Sequence, residues 1–96
     1  MAEIVYSETA FADLERIIEF MLESSPESGR RTLERIRSAV EILRLHPLIG
    51  RRVDNQLREL VISEGATGYL ALYRFDAGLN LIRLLRIRHQ REAGYI

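Results

Sequence analysis

Leu81-Ile82-Arg83-Leu84-Leu85-Arg86-Ile87-Arg88-His89 is the stretch that decides the fold. Apolar side chains interrupted by arginine, preceded by the turn-forming Asp76-Ala77-Gly78, read as a strand with one face in a core. Arg86 and Arg88 are two apart and share a face, whereas Arg83 falls on the opposite face unless a bulge near Leu84-Leu85 resets the alternation. Two adjacent leucines favour that bulge. Ile82, Leu84 or Leu85, and Ile87 then pack inward, with the arginines outward.

Two further strand-like runs precede this one, Leu57 to Ile62 and Tyr69 to Phe75, separated by the glycine-bearing turn Glu64-Gly65-Ala66-Thr67-Gly68. Three consecutive strands joined by short turns predict an antiparallel meander. Upstream, Glu3-Ile4-Val5-Tyr6 is a short strand ending at Ser7, a good helix N-cap. From Glu8 to about Leu22, Phe11, Leu14, Ile17, Ile18, Met21 and Leu22 recur at helical spacing with acids on the opposite face. Ser24-Ser25-Pro26 breaks this helix and starts a second, Ser25 as N-cap and Pro26 at the first helical position.

The second helix runs to about Leu45 through Leu33, Ile36, Ala39, Val40 and Leu43, with Glu27/Arg31, Arg30/Glu34 and Arg37/Glu41 as charge pairs on its exposed side. Pro47 ends it and Gly50 allows the turn that follows. The expected architecture is α+β in the order β-α-α-β-β-β. A helical hairpin, with Phe11 and Met21 in its core, packs on one face of an antiparallel sheet that the first strand completes. The other face stays open to a partner. Residues 1–96 form a single domain.

At 96 residues, 47% hydrophobic and 29% charged, the chain can bury one core and no second. No cysteine is present, which excludes disulfides, thiol chemistry and Cys-based metal sites. The two histidines, His46 and His89, lie far apart with no carboxylates at metal-ligand spacing, so neither metal nor cofactor is expected. No apolar run approaches the roughly 20 residues of a membrane span, and Met1 to Ser7 lacks the basic and apolar regions of a signal peptide. A cytoplasmic protein is expected.

All 14 basic residues are arginine. The planar guanidinium forms bidentate contacts, which suit an acidic protein surface or a nucleic-acid backbone equally well. Charge is polarised although the net is zero. Residues 1–28 hold seven acids and Arg16, a net of −6; residues 29–96 hold 13 arginines and seven acids, a net of +6. Either this division marks a binding face, or the acidic first helix neutralises the basic sheet within one molecule.

The element order, together with His46-Pro47-Leu48-Ile49-Gly50-Arg51, Leu57-Arg58-Glu59-Leu60, Tyr69-Leu70-Ala71-Leu72-Tyr73-Arg74 and Ile87-Arg88-His89-Gln90-Arg91-Glu92, resembles the RelE/ParE superfamily of bacterial toxins. The resemblance covers nearly the whole chain. It implies the toxic half of a type II toxin-antitoxin pair, a cognate antitoxin as partner, and a toxin-antitoxin hetero-oligomer. RelE-like members cleave messenger RNA on the ribosome, whereas ParE-like members bind DNA gyrase and trap its cleaved-DNA state.

Cleavage through an RNA 2′-hydroxyl needs a base, a cation beside the phosphate and an acid for the leaving oxygen. Arginine supplies only the second, and the lysines of RelE-type sites are missing. A nuclease reading therefore falls on other residues. His89 stands where relatives such as YoeB carry a catalytic histidine; Glu59 is a candidate base, Arg58, Arg74 or Arg88 would meet the phosphate, and Tyr95 would donate a hydroxyl. YoeB has tyrosine directly after that histidine, and here the next residue is Gln90.

Each candidate also has a plain structural role available. His89 can bond the C-terminal tail, His46 can cap the second helix, and Glu59 can pair with an arginine of a neighbouring strand. Arg83, Arg86, Arg88 and Arg91 are read as binding residues for target or antitoxin. The first expectation is a ParE-like, noncatalytic gyrase inhibitor. The alternatives are a ribosome-dependent endoribonuclease and a degenerate, non-toxic binding module of the same fold.

Overall fold

The computed structural model describes residues 1–64 and 67–91, with Ser63, Glu64 and Thr67 described by their backbone alone. The chain runs β1 (Glu3–Tyr6), α1 (Glu8–Ser24), α2 (Pro26–Glu41), a 3-10 turn (Ile42–Arg44), β2 (Arg51–Arg52), β3 (Arg58–Glu64), β4 (Thr67–Asp76) and β5 (Leu81–His89).

Serine sets both helix starts. Ser7 Oγ accepts from the Ala10 N–H at 3.0 Å, satisfying one of the donors that a helix leaves unpaired. Ser25 serves two helices: its N–H donates to the Met21 carbonyl at 3.3 Å and its Oγ accepts from the Ser28 N–H at 3.1 Å. Gly29 faces α1 at close range, where a Cβ would lie 2.5 Å from Leu22 Cδ2 and push that exposed side chain aside. The second helix stops at Glu41 rather than continuing to Leu45. Ahead of Pro47 its last turn tightens, so that the Leu45 and His46 N–H groups both donate to the Ile42 carbonyl, at 3.2 and 3.0 Å. The charge pairs also differ from those expected: Arg30 reaches Glu27, and Glu41 is taken by Arg44.

The sheet order is β1-β5-β4-β3-β2. The meander is antiparallel as expected, but the sheet as a whole is mixed, because β1 runs parallel to β5 from Glu3↔Leu81 to Tyr6↔Leu84. From that edge the chain passes through Ser7 directly into α1, which lies along β5. Arg51–Arg52 is a short edge strand antiparallel to β3.

Ile82, Leu84 and Ile87 of β5, Ala71 and Tyr73 of β4 and Ile62 of β3 pack against Ala10, Leu14 and Ile17 of α1 and Ile36 and Val40 of α2. Each large aliphatic side chain buried there contributes about 1.5–3 kcal/mol relative to exposure. The expectation of Phe11 and Met21 in the hairpin core needs correction: Phe11 is 55% exposed and Met21 only half-buried. The buried stripe of α1 is instead Ala10, Asp13, Leu14 and Ile17. Its polar member turns the helix toward β5 and leaves Phe11 beside the sheet.

Candidate functional site

Leu72 faces Arg86 and Tyr73 faces Leu84, so Leu85 is the extra residue of a bulge in β5. The bulge restores the alternation, letting Ile82, Leu84 and Ile87 all face the helices. Beyond Leu84 the outer edge of β5 has no strand beside it among the described residues, and its backbone groups turn to the start of α1. The Ser7 N–H donates to the Leu84 carbonyl at 2.9 Å, Ser7 Oγ donates to the Leu85 carbonyl at 3.1 Å, and the Ile87 N–H donates to Asp13 Oδ2 at 2.9 Å. Arg86 completes the joint, with Nε 2.9 Å from Oδ2 and Nη2 3.2 Å from Oδ1 of the buried Asp13. Arg86 was expected outward beside Arg88 for recognition; it is a member of a largely buried ion pair. Burying the Asp13 charge requires this fork.

The register separates the remaining candidates by face. His89 pairs with Tyr69 and Tyr69 with Ile62, a row on the helix side of the sheet; Glu59 lies three residues from Ile62 and so on the open side. His89 and Glu59 are therefore on opposite faces. The His89 ring meets Tyr69 edge-on at 5.3 Å, and its Nδ1 accepts from the Arg91 N–H at 3.1 Å. That is the tail contact available to it from sequence. Glu59 is buried, and Arg51 donates to it through Nε at 3.0 Å and through Nη2, the neighbouring-strand pairing.

Arg58 clamps the loop before β2: its Nη1 donates to the Leu48 and Gly50 carbonyls at 3.0 and 2.9 Å. Tyr73 holds the same loop, its hydroxyl donating to the Pro47 carbonyl at 2.8 Å and accepting from the Gly50 N–H at 2.9 Å. A Cβ at Gly50 would fall 2.5 Å from the Tyr73 ring, so glycine is required there. Burial raises the Tyr73 pKa, opposed by the Gly50 N–H and by Arg58. Among the described residues the His46 ring makes no capping hydrogen bond; its amide serves the 3-10 turn instead.

Arg88 lies on the open side opposite Leu70 but is half-buried, its Nη1 donating to the His89 and Gln90 carbonyls at 3.4 and 3.5 Å. Arg91 is exposed, and Tyr95 lies outside the described residues. Arg74 and Arg83 are paired with each other across β4 and β5, both exposed. Of the sequence candidates, the structure thus brings Arg74 and Arg83 together and separates His89 from Glu59.

A second surface lies along α1. Tyr6, Phe11, Leu14, Ile18 and Leu33 line an apolar groove of about 610 Å³, edged by Glu15 and Glu19 on one side and Arg37 on the other. The Tyr6 pKa is raised by burial and by Glu41, against Arg37 and Arg44.

Sequence reasoning missed Asp13, Ser7 as a sheet-edge donor, and Tyr73 as a loop anchor. Asp13 did carry a signal: Ala10, Asp13, Leu14 and Ile17 follow the helical spacing of a buried stripe, with one carboxylate in it.

A helical hairpin on one face of a mixed sheet, with an apolar groove beside it and arginines on the open face, defines a small α+β domain. Residues 4–94 match the family described as the ParE toxin of the type II toxin-antitoxin system parDE. The chain is 33% identical over 92 residues to Toxin RelE3 of Caulobacter vibrioides, covering 96% of this chain and 98% of that toxin. Toxin RelE2 of the same organism is 34% identical over 89 residues, 93% of this chain and 96% of the relative. The fold matches the chromosomal ParDE toxin-antitoxin system from P. aeruginosa with a TM-score of 0.75 and 23% identity, over 91% of this chain and 94% of that one. The chain belongs to the ParE/RelE family of type II toxin-antitoxin toxins. A cognate antitoxin is the partner that membership implies.

Proposed function

We propose that this toxin acts in the cytoplasm as a noncatalytic inhibitor of DNA gyrase, binding the enzyme and holding its cleaved-DNA state until an antitoxin removes it. The single observation that supports this reading is the separation of His89 and Glu59 onto opposite sheet faces. A base and an acid that cannot reach one scissile bond do not make a general acid-base pair. Of the other nuclease candidates, Arg58 holds loop carbonyls and the Glu59 carboxylate is bound by Arg51, whereas Arg74 is exposed. What remains is a binding surface of exposed arginine.

The antitoxin reading rests on the α1 groove. Its apolar lining suits one amphipathic helix, with basic residues of that helix facing Glu15 and Glu19 and an acid facing Arg37. One observation favours a second reading: both curated relatives carry the name RelE, and RelE-like toxins cut messenger on the ribosome. Incubating the purified protein with gyrase and supercoiled plasmid, and separately with programmed ribosomes, distinguishes the two.

A further inference from the structure

We propose that Arg74 and Arg83 form a two-guanidinium site for a carboxylate, fitted to an extended acidic segment of a partner polypeptide. The proposal rests on the reading of the open sheet face as a protein-binding surface and names the chemistry it recognises. Direct opposition of Arg74 and Arg83 across β4 and β5 is the first observation. Like charges in directly opposed positions repel, so the pair weakens the sheet unless an anion joins them. The second is their lack of partners. Arg44, Arg51, Arg58 and Arg86 all have acceptors, whereas Arg74 and Arg83 have no hydrogen bond or ion pair among the described residues.

The surroundings choose between a carboxylate and a nucleic-acid phosphate. The two arginines and Leu85 line a concave surface closed on one side by the loop carrying Asp54 and Leu57, and Val5 of β1 stands in register beyond Arg83. Aliphatic side chains beside a guanidinium pair suit a peptide in which an acid alternates with an apolar residue. Asp54 Oδ1 accepts from the Gln56 and Leu57 N–H groups, fixing a negative charge at the rim. A single carboxylate tolerates that charge at the edge; a polyphosphate backbone crossing the loop would be repelled by it. The site lies at the β4–β5 turn end of the sheet, away from His89.

The test uses the isotope-labelled whole chain and follows the arginine Nε–H resonances by NMR during titration. Three probes are compared: the capped pentapeptide leucine-aspartate-leucine-aspartate-leucine, its asparagine counterpart, and a hexauridylate RNA. The acidic peptide should shift Arg74 and Arg83 saturably, and the asparagine peptide at least tenfold more weakly. Arg83→Gln and Arg74→Gln should each weaken the acidic peptide at least tenfold while thermal unfolding stays unchanged or rises; Arg30→Gln, on the outer face of α2, should leave binding unchanged. Equal shifts with both peptides, no shift at either arginine, or a loss of thermal stability in the glutamine variants would overturn the site. Tighter binding of the RNA at the same two arginines would overturn it in favour of nucleic acid. Gyrase trapping is read on cleaved plasmid, so failure here and failure of the proposed function remain separate results.

Discussion

Asp13 and Arg86, 73 residues apart in the chain, are joined by two hydrogen bonds at the point where β5 bulges. The same carboxylate accepts the Ile87 N–H on the outer edge of β5. One aspartate thus fastens the first helix to the last strand, neutralises a largely buried arginine and completes the edge of the sheet.

Removing that carboxylate should be costly. Asp13→Ala is expected to destabilise the fold by about 3–5 kcal/mol, the usual loss when one member of a buried ion pair is deleted. Against a total stability of about 5–15 kcal/mol this leaves a marginal domain. The double variant Asp13→Leu/Arg86→Met should recover part of the loss, because no unpaired charge is left inside. Urea denaturation of the three proteins measures both effects. Near-identical midpoints would show the pair to be dispensable.

Alkaline pH should unfold the protein through its tyrosines. Tyr6 and Tyr73 both have pKa values raised mainly by burial. The folded state therefore holds its proton more tightly than the unfolded chain does, whose phenols titrate near about 10. Stability from this source is complete below about pH 10 and declines as pH rises through the folded-state values. Tyr73→Phe should make that decline shallower, since one of the two groups no longer contributes. At neutral pH it should cost about 1–3 kcal/mol, because the Gly50 N–H loses its acceptor. Thermal unfolding from pH 7 to 11 checks the two statements together.

The groove makes a separate claim. Phe11 is too exposed to hold the core together, so Phe11→Asp should leave the unfolding temperature within about 2 °C of the parent. Binding of the antitoxin should weaken at least tenfold if its helix lies on this apolar surface, which surface plasmon resonance would register mainly as faster dissociation. Association should also slow as salt is added, because rim charges steer the encounter. Unchanged kinetics in Phe11→Asp would move the antitoxin elsewhere.

Much of the fold was legible because it rests on local patterns. Ser7, Ser25 and Pro26 mark helix ends through capping chemistry that needs no tertiary context, and Leu84-Leu85 betrayed the bulge by breaking the strand alternation. The parallel placement of β1 was not legible, since four residues carry no information on which strand edge they join. Arg51–Arg52 was hidden for the same reason, a two-residue strand defined only by its pairing with Glu59 and Arg58. The site was harder still. Arg86 and Arg88 look alike in sequence, and only Asp13, supplied by a helix more than 70 positions away, makes one of them structural. Whether His89 and Glu59 share a face depends on pairing across three strands, which alternation within one strand does not reveal.

Cleaved plasmid formed by gyrase in the presence of the purified toxin is the most direct measurement. Linear DNA should accumulate with toxin dose after protein removal, His89→Ala should leave this unchanged, and ribosomes carrying messenger should stay uncut. Cuts in ribosome-bound messenger that disappear in His89→Ala, with plasmid untouched, would contradict the gyrase reading and make the protein a ribonuclease.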